Sequence, residues 1–377
     1  MHTVGIICEY NPLHKGHSKQ LSAVRAAGAE GIVCLMSGNF VQRGAPAIFE
    51  KSLRARAAVE CGADLVLELP VTVALNSAEG FASGGVSLLG GFCDYLCFGA
   101  ETEKPELLTD LAKALLSEEF PAALRSELDT GKSFPAARSA ALIAMGYSGE
   151  VLCQPNNILA VEYCKAILSQ GCRMQPMPIH RQGSYHADTP DSENPSATAL
   201  RRLILQGQDW EGFVPDAAKA LFSEGSIHSL RAGERAVLAR LRTMTDAEFE
   251  ALPHASEGLW RKLMHAVGKE PDLESIATAV KSKRYTRSRI DRMILCAFLG
   301  LTAEDFAAPA PYARVLAFNH KGREILKQAR QTGCFPNLGE KTGHPYEVSE
   351  NRCDRLYGLF AQSQPEISGK QRVQYII

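Results

Sequence analysis

The residues of this chain best suited to chemistry are two histidines set three positions apart, in His14-Lys15-Gly16-His17. Two imidazoles at that spacing can face one anion together, and Gly16 between them lets backbone approach it. They follow the apolar, β-branched run Val4–Cys8, which reads as a buried parallel strand. They precede Ser18–Ala27, where Leu21 and Val24 mark one helical face and Gly28 a stop. The pair therefore stands on a strand-to-helix turn, at a helix N-terminus. Free N–H groups and the helix dipole favour an anion there, and phosphate is the usual one.

A second element is Ser196-Ala197-Thr198-Ala199-Leu200-Arg201. Ser196 at a helix start can cap the helix or bind phosphate, and Arg201 one turn later can reach the same anion. Four further stretches stand out, three of them at the carboxyl ends of expected strands, where an open α/β sheet binds ligands. Ser37-Gly38-Asn39-Phe40-Val41-Gln42-Arg43-Gly44 combines two glycines, two amides and an arginine. Phe98-Gly99-Ala100-Glu101 offers Gly99 as a place for a flat base or ribose against backbone. Gln154-Pro155-Asn156-Asn157-Ile158 opens a helix, so Asn157 reads equally as a base-edge reader and as a cap. His180-Arg181 closes the fifth strand, and the polar stretch Gln182–Pro195 after it has the composition of an active-site loop.

The elements that must hold these residues are legible in the hydrophobic pattern. Five short apolar runs, Val4–Cys8, Ile32–Met36, Leu65–Leu69, Tyr95–Phe98 and Met174–Ile179, alternate with helical segments such as Arg54–Cys61 and Ala78–Leu89. The pattern predicts an α/β fold with a doubly wound, parallel, five-stranded sheet. Residues Glu106–Lys165 form a helical insertion before the fifth strand, with breaks near Pro121, Gly131 and Asn156. After Pro215 the chain becomes mainly helical, over Ala218–Phe222, Ala232–Met244, Glu257–Val267, Leu273–Lys281 and Ile290–Leu299. It ends with an α/β-like piece, Ala313–Phe318 and Gly322–Thr332. Two domains, 1–215 and 216–377, are expected.

Composition narrows the function classes. The chain has 377 residues, 45% of them apolar, which suits a globular protein with a substantial core. A net charge of −1 provides no global attraction to nucleic acid or membrane, so an RNA surface must be a local basic patch. One candidate is Lys281–Arg292, in which Lys281, Lys283, Arg284, Arg287, Arg289 and Arg292 stand against the single carboxylate Asp291. It reads as an RNA-backbone contact or as a solvated helix start. The 11 cysteines are odd in number, lie mostly in apolar runs and form no Cys-x-x-Cys pair. Reduced buried thiols in a cytoplasmic protein are expected, with no protein metal site, no membrane span and no leader.

His14-Lys15-Gly16-His17 in this context is the signature of the nucleotidyltransferase superfamily. The chain further resembles the tRNA(Met) cytidine acetate ligases. The matching stretches, in order over residues 1–205, are Gly5–His17 with Glu9-Tyr10-Asn11-Pro12, Ser37–Gly44, Gly62–Pro70, Ser77–Ala82, Phe98–Glu101, Pro155–Leu159 and Ser196–Arg201. The C-terminal basic run is also similar. Leu13 before His14 and Ala45 after Arg43-Gly44 are mild departures that remove no functional group. The resemblance implies activation of acetate by ATP to acetyl-adenylate. It further implies acetyl transfer to the wobble cytidine of elongator tRNA(Met), forming N4-acetylcytidine, with Mg2+ accompanying ATP. It implies His14, His17, Ser196 and Arg201 as the catalytic group, stabilising charge without a protein nucleophile. The ATP contacts would be Ile7, Cys8, Glu9, Tyr10, Asn11, Pro12, Leu13, His14, Lys15, Gly16, His17, Ser18, Lys19, Gln20, Gly99, Asn157, His180 and Arg181. The tRNA contacts would be Lys281, Lys283, Arg284, Arg287 and Arg289. Two other classes share parts of this pattern. A small-molecule adenylyltransferase of the coenzyme-synthesis type would not need the C-terminal 160 or so residues. A non-catalytic RNA-binding protein on the same fold would not need both intact motifs.

Overall fold

Alternation along the strands decides the architecture. In the computed structural model, which describes residues 2–180, 195–363 and 373–376, Val4, Ile6, Ile32, Cys34 and Met36 turn to one sheet face. Ile7, Val33, Leu35, Leu65 and Leu67 turn to the other. Both faces need cover, and helices supply it. The strands are β1 (Thr3–Cys8), β2 (Gly31–Ser37), β3 (Phe40–Val41), β4 (Ala45–Pro46), β5 (Leu65–Leu69), β6 (Tyr95–Ala100), β7 (Gln175–His180), β8 (Val315–Phe318) and β9 (Gln374–Tyr375). The sheet runs β7-β6-β1-β2-β5-β8-β9, and β3 and β4 form a separate antiparallel ribbon.

The five expected strands are the parallel part of this sheet. Two more strands extend it: β8 runs antiparallel to β5, and β9 parallel to β8. The chain beyond residue 215 thus returns to the sheet, because Val315–Phe318 is apolar enough to cover the flank that β5 leaves open. Gly322 makes the approach of the following helix, His320–Ala329, possible: a Cβ there would lie 1.9 Å from the Asp64 carbonyl oxygen. At the opposite edge, β7 carries Pro176 and Pro178, which lack the N–H that a central strand needs.

The expected helical insertion is four helices, Pro105–Leu116, Phe120–Asp129, Phe134–Ala144 and Pro155–Ser169, with breaks next to Pro121 and Gly131; the third break falls at 145–154, and Asn156 lies in the first turn of the last helix. A third core gathers the helices Leu230–Thr243, Leu259–Val267, Leu273–Val280 and Arg287–Leu299 with Phe40 of the ribbon. The helical layer therefore packs on the ribbon that follows β2, next to the carboxyl ends of the central strands. No helix among the described residues is long and apolar enough to cross a membrane, and the cysteines are free thiols.

Candidate active site

The first helix starts earlier than its apolar pattern suggests, at Lys15, so His14 is the N-cap residue and His17 sits in the first turn. The backbone N–H of His14 donates to His17 Nδ1 at 3.3 Å, which leaves the proton of a neutral His17 ring on Nε2. The two imidazoles stack with centroids 3.7 Å apart, and the Tyr10 ring flanks His17 at 4.9 Å. Gly16 has a packing reason. A Cβ there would stand 3.1 Å from His14 Cε1, crowding the ring. Tyr10 takes the left-handed conformation at φ 43°, which turns the chain from β1 into the histidine loop.

The second motif meets this turn. Ser196 Oγ accepts from the Ala199 N–H at 3.1 Å and caps the helix Ala197–Leu205, leaving its hydroxyl proton to donate. Arg201 Nη1 donates to the Asn11 carbonyl at 2.7 Å, and Nη2 to Thr198 Oγ1 at 3.1 Å. Burial pushes the Arg201 guanidinium below its ordinary value; Glu9 opposes that shift and the nearby Arg43 adds to it. Even so, an arginine keeps its charge. Arg201→Ala should lower ATP–pyrophosphate exchange more than Ser196→Ala, because the helix N–H groups survive the serine change. Full exchange activity in Arg201→Ala would show that this helix does not face the triphosphate.

The remaining expected contacts divide. Gly99 and His180 stand at the carboxyl ends of the neighbouring strands β6 and β7, with Gly99 opposite Ile179 and Ala100 opposite His180. Asn157 is buried, and its side chain is committed within the protein. Its Oδ1 accepts from the N–H groups of Glu101 and Thr102 at 3.0 and 3.2 Å, and its Nδ2 donates to Val151. Asn157 thus braces the loop after β6. Glu101 occupies the start of the helix Pro155–Ser169, accepting from the N–H groups of Asn156 and Asn157. Arg181 and residues 182–194 lie outside the described residues.

Two cations beneath the site have no counterpart in the sequence reading. Arg54 is fully buried and donates to the carbonyls of Phe49, Glu9, Ser37 and Gly38. It ties the end of β1 to the end of β2. Lys51 is equally buried; its Nζ donates to both Glu68 carboxylate oxygens at 2.9 Å and to Asp354 Oδ2 at 2.6 Å. Asn39 joins them, donating to Asp354 and accepting from the Lys51 N–H. Arg314 pairs with Glu350 at 2.6 Å close by. Burial alone would lower the Lys51 pKa, but the Asp354 and Glu68 carboxylates overcome it and hold the ammonium charged. The available signal was Glu68, a carboxylate inside the apolar strand Leu65–Leu69.

Glu68, Asp354 and Glu350 gather around Lys51 and Arg314, with the buried Arg54 also acting on Glu68. Burial, then Asp354 and Glu350, push Glu68 from 4.5 up to about 7, against the pull of Lys51. The folded protein therefore holds this proton where the unfolded chain releases it. The stability this contributes is fully present below about pH 4.5 and is lost as pH rises through about 7. Glu68→Gln should flatten that descending slope. Urea midpoints from pH 5 to 8 with the wild-type slope unchanged would rule this out.

The basic run also divides. Arg287 is clamped by Glu274 at 2.7 Å and by Asp291 at 2.8 Å, and Arg289 donates to Ser256 and to the His254 carbonyl. Lys281, Lys283 and Arg284 are exposed, Arg284 is paired with Glu257 at 3.2 Å, and the Arg284 and Arg289 guanidiniums lie about the Tyr285 ring at 6.0 and 5.7 Å. Among the described residues no group of three His, Cys, Asp or Glu side chains is placed to hold a metal ion.

Comparison with known proteins agrees with this geometry. The family model of the HIGH nucleotidyl transferases matches residues 1–371. A tRNA(Met) cytidine acetate ligase from Clostridium novyi is 36% identical over 89% of each chain. One from Clostridium kluyveri is 38% identical over 89% of each. A crystal structure of Thermotoga maritima TmcAL bound with alpha-thio ATP covers all of both chains at TM-score 0.88 and 29% identity. Its apo form gives 0.90 at the same identity. With its histidine turn and serine–arginine helix joined on such a sheet, the chain belongs to the HIGH nucleotidyl transferase family, among the tRNA(Met) cytidine acetate ligases.

Proposed function

We propose that this protein activates acetate with ATP and transfers the acetyl group to the wobble cytidine of elongator tRNA(Met), forming N4-acetylcytidine. The observation that carries the reading is the bond from Arg201 to the Asn11 carbonyl, which brings the serine–arginine helix onto the histidine turn. In the first step an acetate oxygen attacks the α-phosphorus of ATP. The bond to the β-phosphate oxygen breaks, and pyrophosphate leaves with the electron pair. His14, His17, Ser196 and Arg201 meet the charge that accumulates on the leaving group, which is electrostatic catalysis by preorganised donors. In the second step the exocyclic amine of cytidine attacks the acetyl carbon, the bond to AMP breaks, and the amine loses a proton. The segment Ile7–Gln20 with Gly99, His180 and Arg181 would hold ATP, and Asn157 would shape that pocket from below. Mg2+ would arrive on the phosphates, as it usually does, rather than in an all-protein cage.

In this reading residues 1–215 are the catalytic part and 216–377 the tRNA-facing part, apart from the strands that complete the sheet. Incubation with ATP, labelled acetate and total tRNA tests it. Acetate-dependent pyrophosphate exchange without tRNA, and label in tRNA once it is added, are expected. Exchange driven by another small substrate, with no label in tRNA, would favour a coenzyme-type adenylyltransferase instead.

The basic run makes a separate prediction. Because Arg284, Arg287 and Arg289 are held by internal partners, the informative variant removes charge at the exposed Lys281 and Lys283. It should keep pyrophosphate exchange and lose acetyl transfer. Its tRNA affinity should fall less steeply with salt, since fewer counterions are released. Equal salt slopes and unchanged transfer would place the tRNA elsewhere.

A further inference from the structure

The β3–β4 ribbon stands between the histidine turn and the C-terminal part of the chain. Two residues, one in the ribbon and one just after it, are bonded on both sides. Gln42 donates its N–H to Glu9 Oε1 at 2.8 Å, while its carbonyl accepts from Arg292 Nη1 at 3.2 Å. Ile48 donates its N–H to Asn11 Oδ1 at 2.8 Å, while its carbonyl accepts from the His228 N–H at 2.9 Å. Each residue holds the turn with one group and is held by the C-terminal part with the other. Hydrogen bonds chained in this way polarise and strengthen one another. The outer donor is backbone in the second relay and a side chain, Arg292, in the first. Gly44 lets the helix of that side chain, Arg287–Leu299, come close. Its φ is 78°, and a Cβ there would stand 2.4 Å from the Arg292 backbone nitrogen.

Packing does not explain an arginine at position 292. The other arginines of the basic run each have a carboxylate, Arg284 and Arg289 on Glu257 and Arg287 on Glu274. Arg292 is 9% exposed, has no carboxylate at ion-pair distance among the described residues, and keeps its Nε buried without a hydrogen-bond partner. A guanidinium buried on a neutral carbonyl costs free energy that methionine, filling similar space, would not. From the relay we infer that Arg292 is a positioning residue for the adenylylation step. It acts through the Gln42 peptide on Glu9, at the start of the turn that carries His14 and His17. The helical layer thereby sets the geometry of the nucleotide site as well as facing tRNA. The inference rests on the nucleotide-binding part of the reading above.

Two measurements on the full chain test it. Acetate-dependent pyrophosphate exchange gives kcat and the KM for ATP, and the NMR ring resonances of His14 and His17, assigned by substitution, report the turn directly. In Arg292→Met, kcat should fall about tenfold with the KM for ATP moved by no more than about threefold, because the histidines meet charge that builds in the transition state. Both ring resonances should shift. Arg292→Lys still donates to the Gln42 carbonyl and should recover part of both effects, which a space-filling role would not show. Gln42→Pro removes the N–H that Glu9 accepts. The Gly44 N–H closes this turn on the Val41 carbonyl at 2.9 Å, so Gln42 is its second residue, where proline is favoured. Gln42→Pro should match Arg292→Met, and the double variant should be no worse than the poorer single one. Wild-type kcat with unmoved ring resonances in Arg292→Met would overturn the inference, and so would losses that add in the double variant. Should Arg292→Met not fold, Arg292→Lys with Gln42→Pro makes the same cycle. If the wild type shows no acetate-dependent exchange, the assignment of acetate has failed, and the ring resonances still decide the role of Arg292.

Discussion

Replacing His14 or His17 with alanine should cut acetate-dependent ATP–pyrophosphate exchange by about two orders of magnitude or more, the usual scale for a group that meets developing charge. The two rings are stacked at 3.7 Å, and His17 Nδ1 accepts the His14 N–H, so each ring is oriented partly by the other residue. The losses should accordingly be non-additive: the double variant should be little worse than the poorer single one. Asparagine at His17 keeps an acceptor near Nδ1 and so separates orientation of the turn from contact with phosphate. Near wild-type exchange in both alanine variants would remove the histidines from the reaction. Additive losses would mean that the rings act on separate groups.

Lys51→Met should be strongly destabilising. It leaves Glu68 and Asp354 buried together without the ammonium that both oxygens of Glu68 and one of Asp354 accept. Breaking a buried pair from one side costs about 3–5 kcal/mol. The excess negative charge should drive Glu68 further toward its protonated form, so the deficit should shrink as pH falls toward 5. A triple variant with Glu68→Gln and Asp354→Asn should recover much of the loss. Equilibrium urea unfolding at pH 8 and pH 5 gives the comparison. A Lys51→Met protein as stable as wild type at pH 8 would show that the cluster is wet and its charges screened. Because Asp354 also binds Asn39, the same variant should loosen the ribbon that follows β2.

The sequence by itself determined the alternating strands and helices and the places of the histidine turn and the serine–arginine helix. These are local signals. A β-branched run buried on both sides, a glycine-terminated helix and a serine before an apolar stripe each state their conformation within a few residues. Ala78–Leu89 and Leu65–Leu69 fall where the pattern placed them for that reason. Tertiary structure decided what local pattern cannot hold. The sheet gained β8 and β9 because strand pairing at an open flank depends on residues hundreds of positions away. Arg54 and Lys51 look like the solvent face of a helix; burial made them the ties beneath the site, since their partners Glu9, Glu68 and Asp354 come from three separate elements. Asn157, legible in sequence only as a base reader or a cap, is also a loop brace, because Glu101 and Thr102 donate to its side-chain oxygen. The basic run split between paired arginines, Arg284 among them, and exposed lysines according to which carboxylates the helical layer brought alongside. Charge pairing acts over a few ångströms in space and carries no period along the chain, so only the folded arrangement could assign those partners.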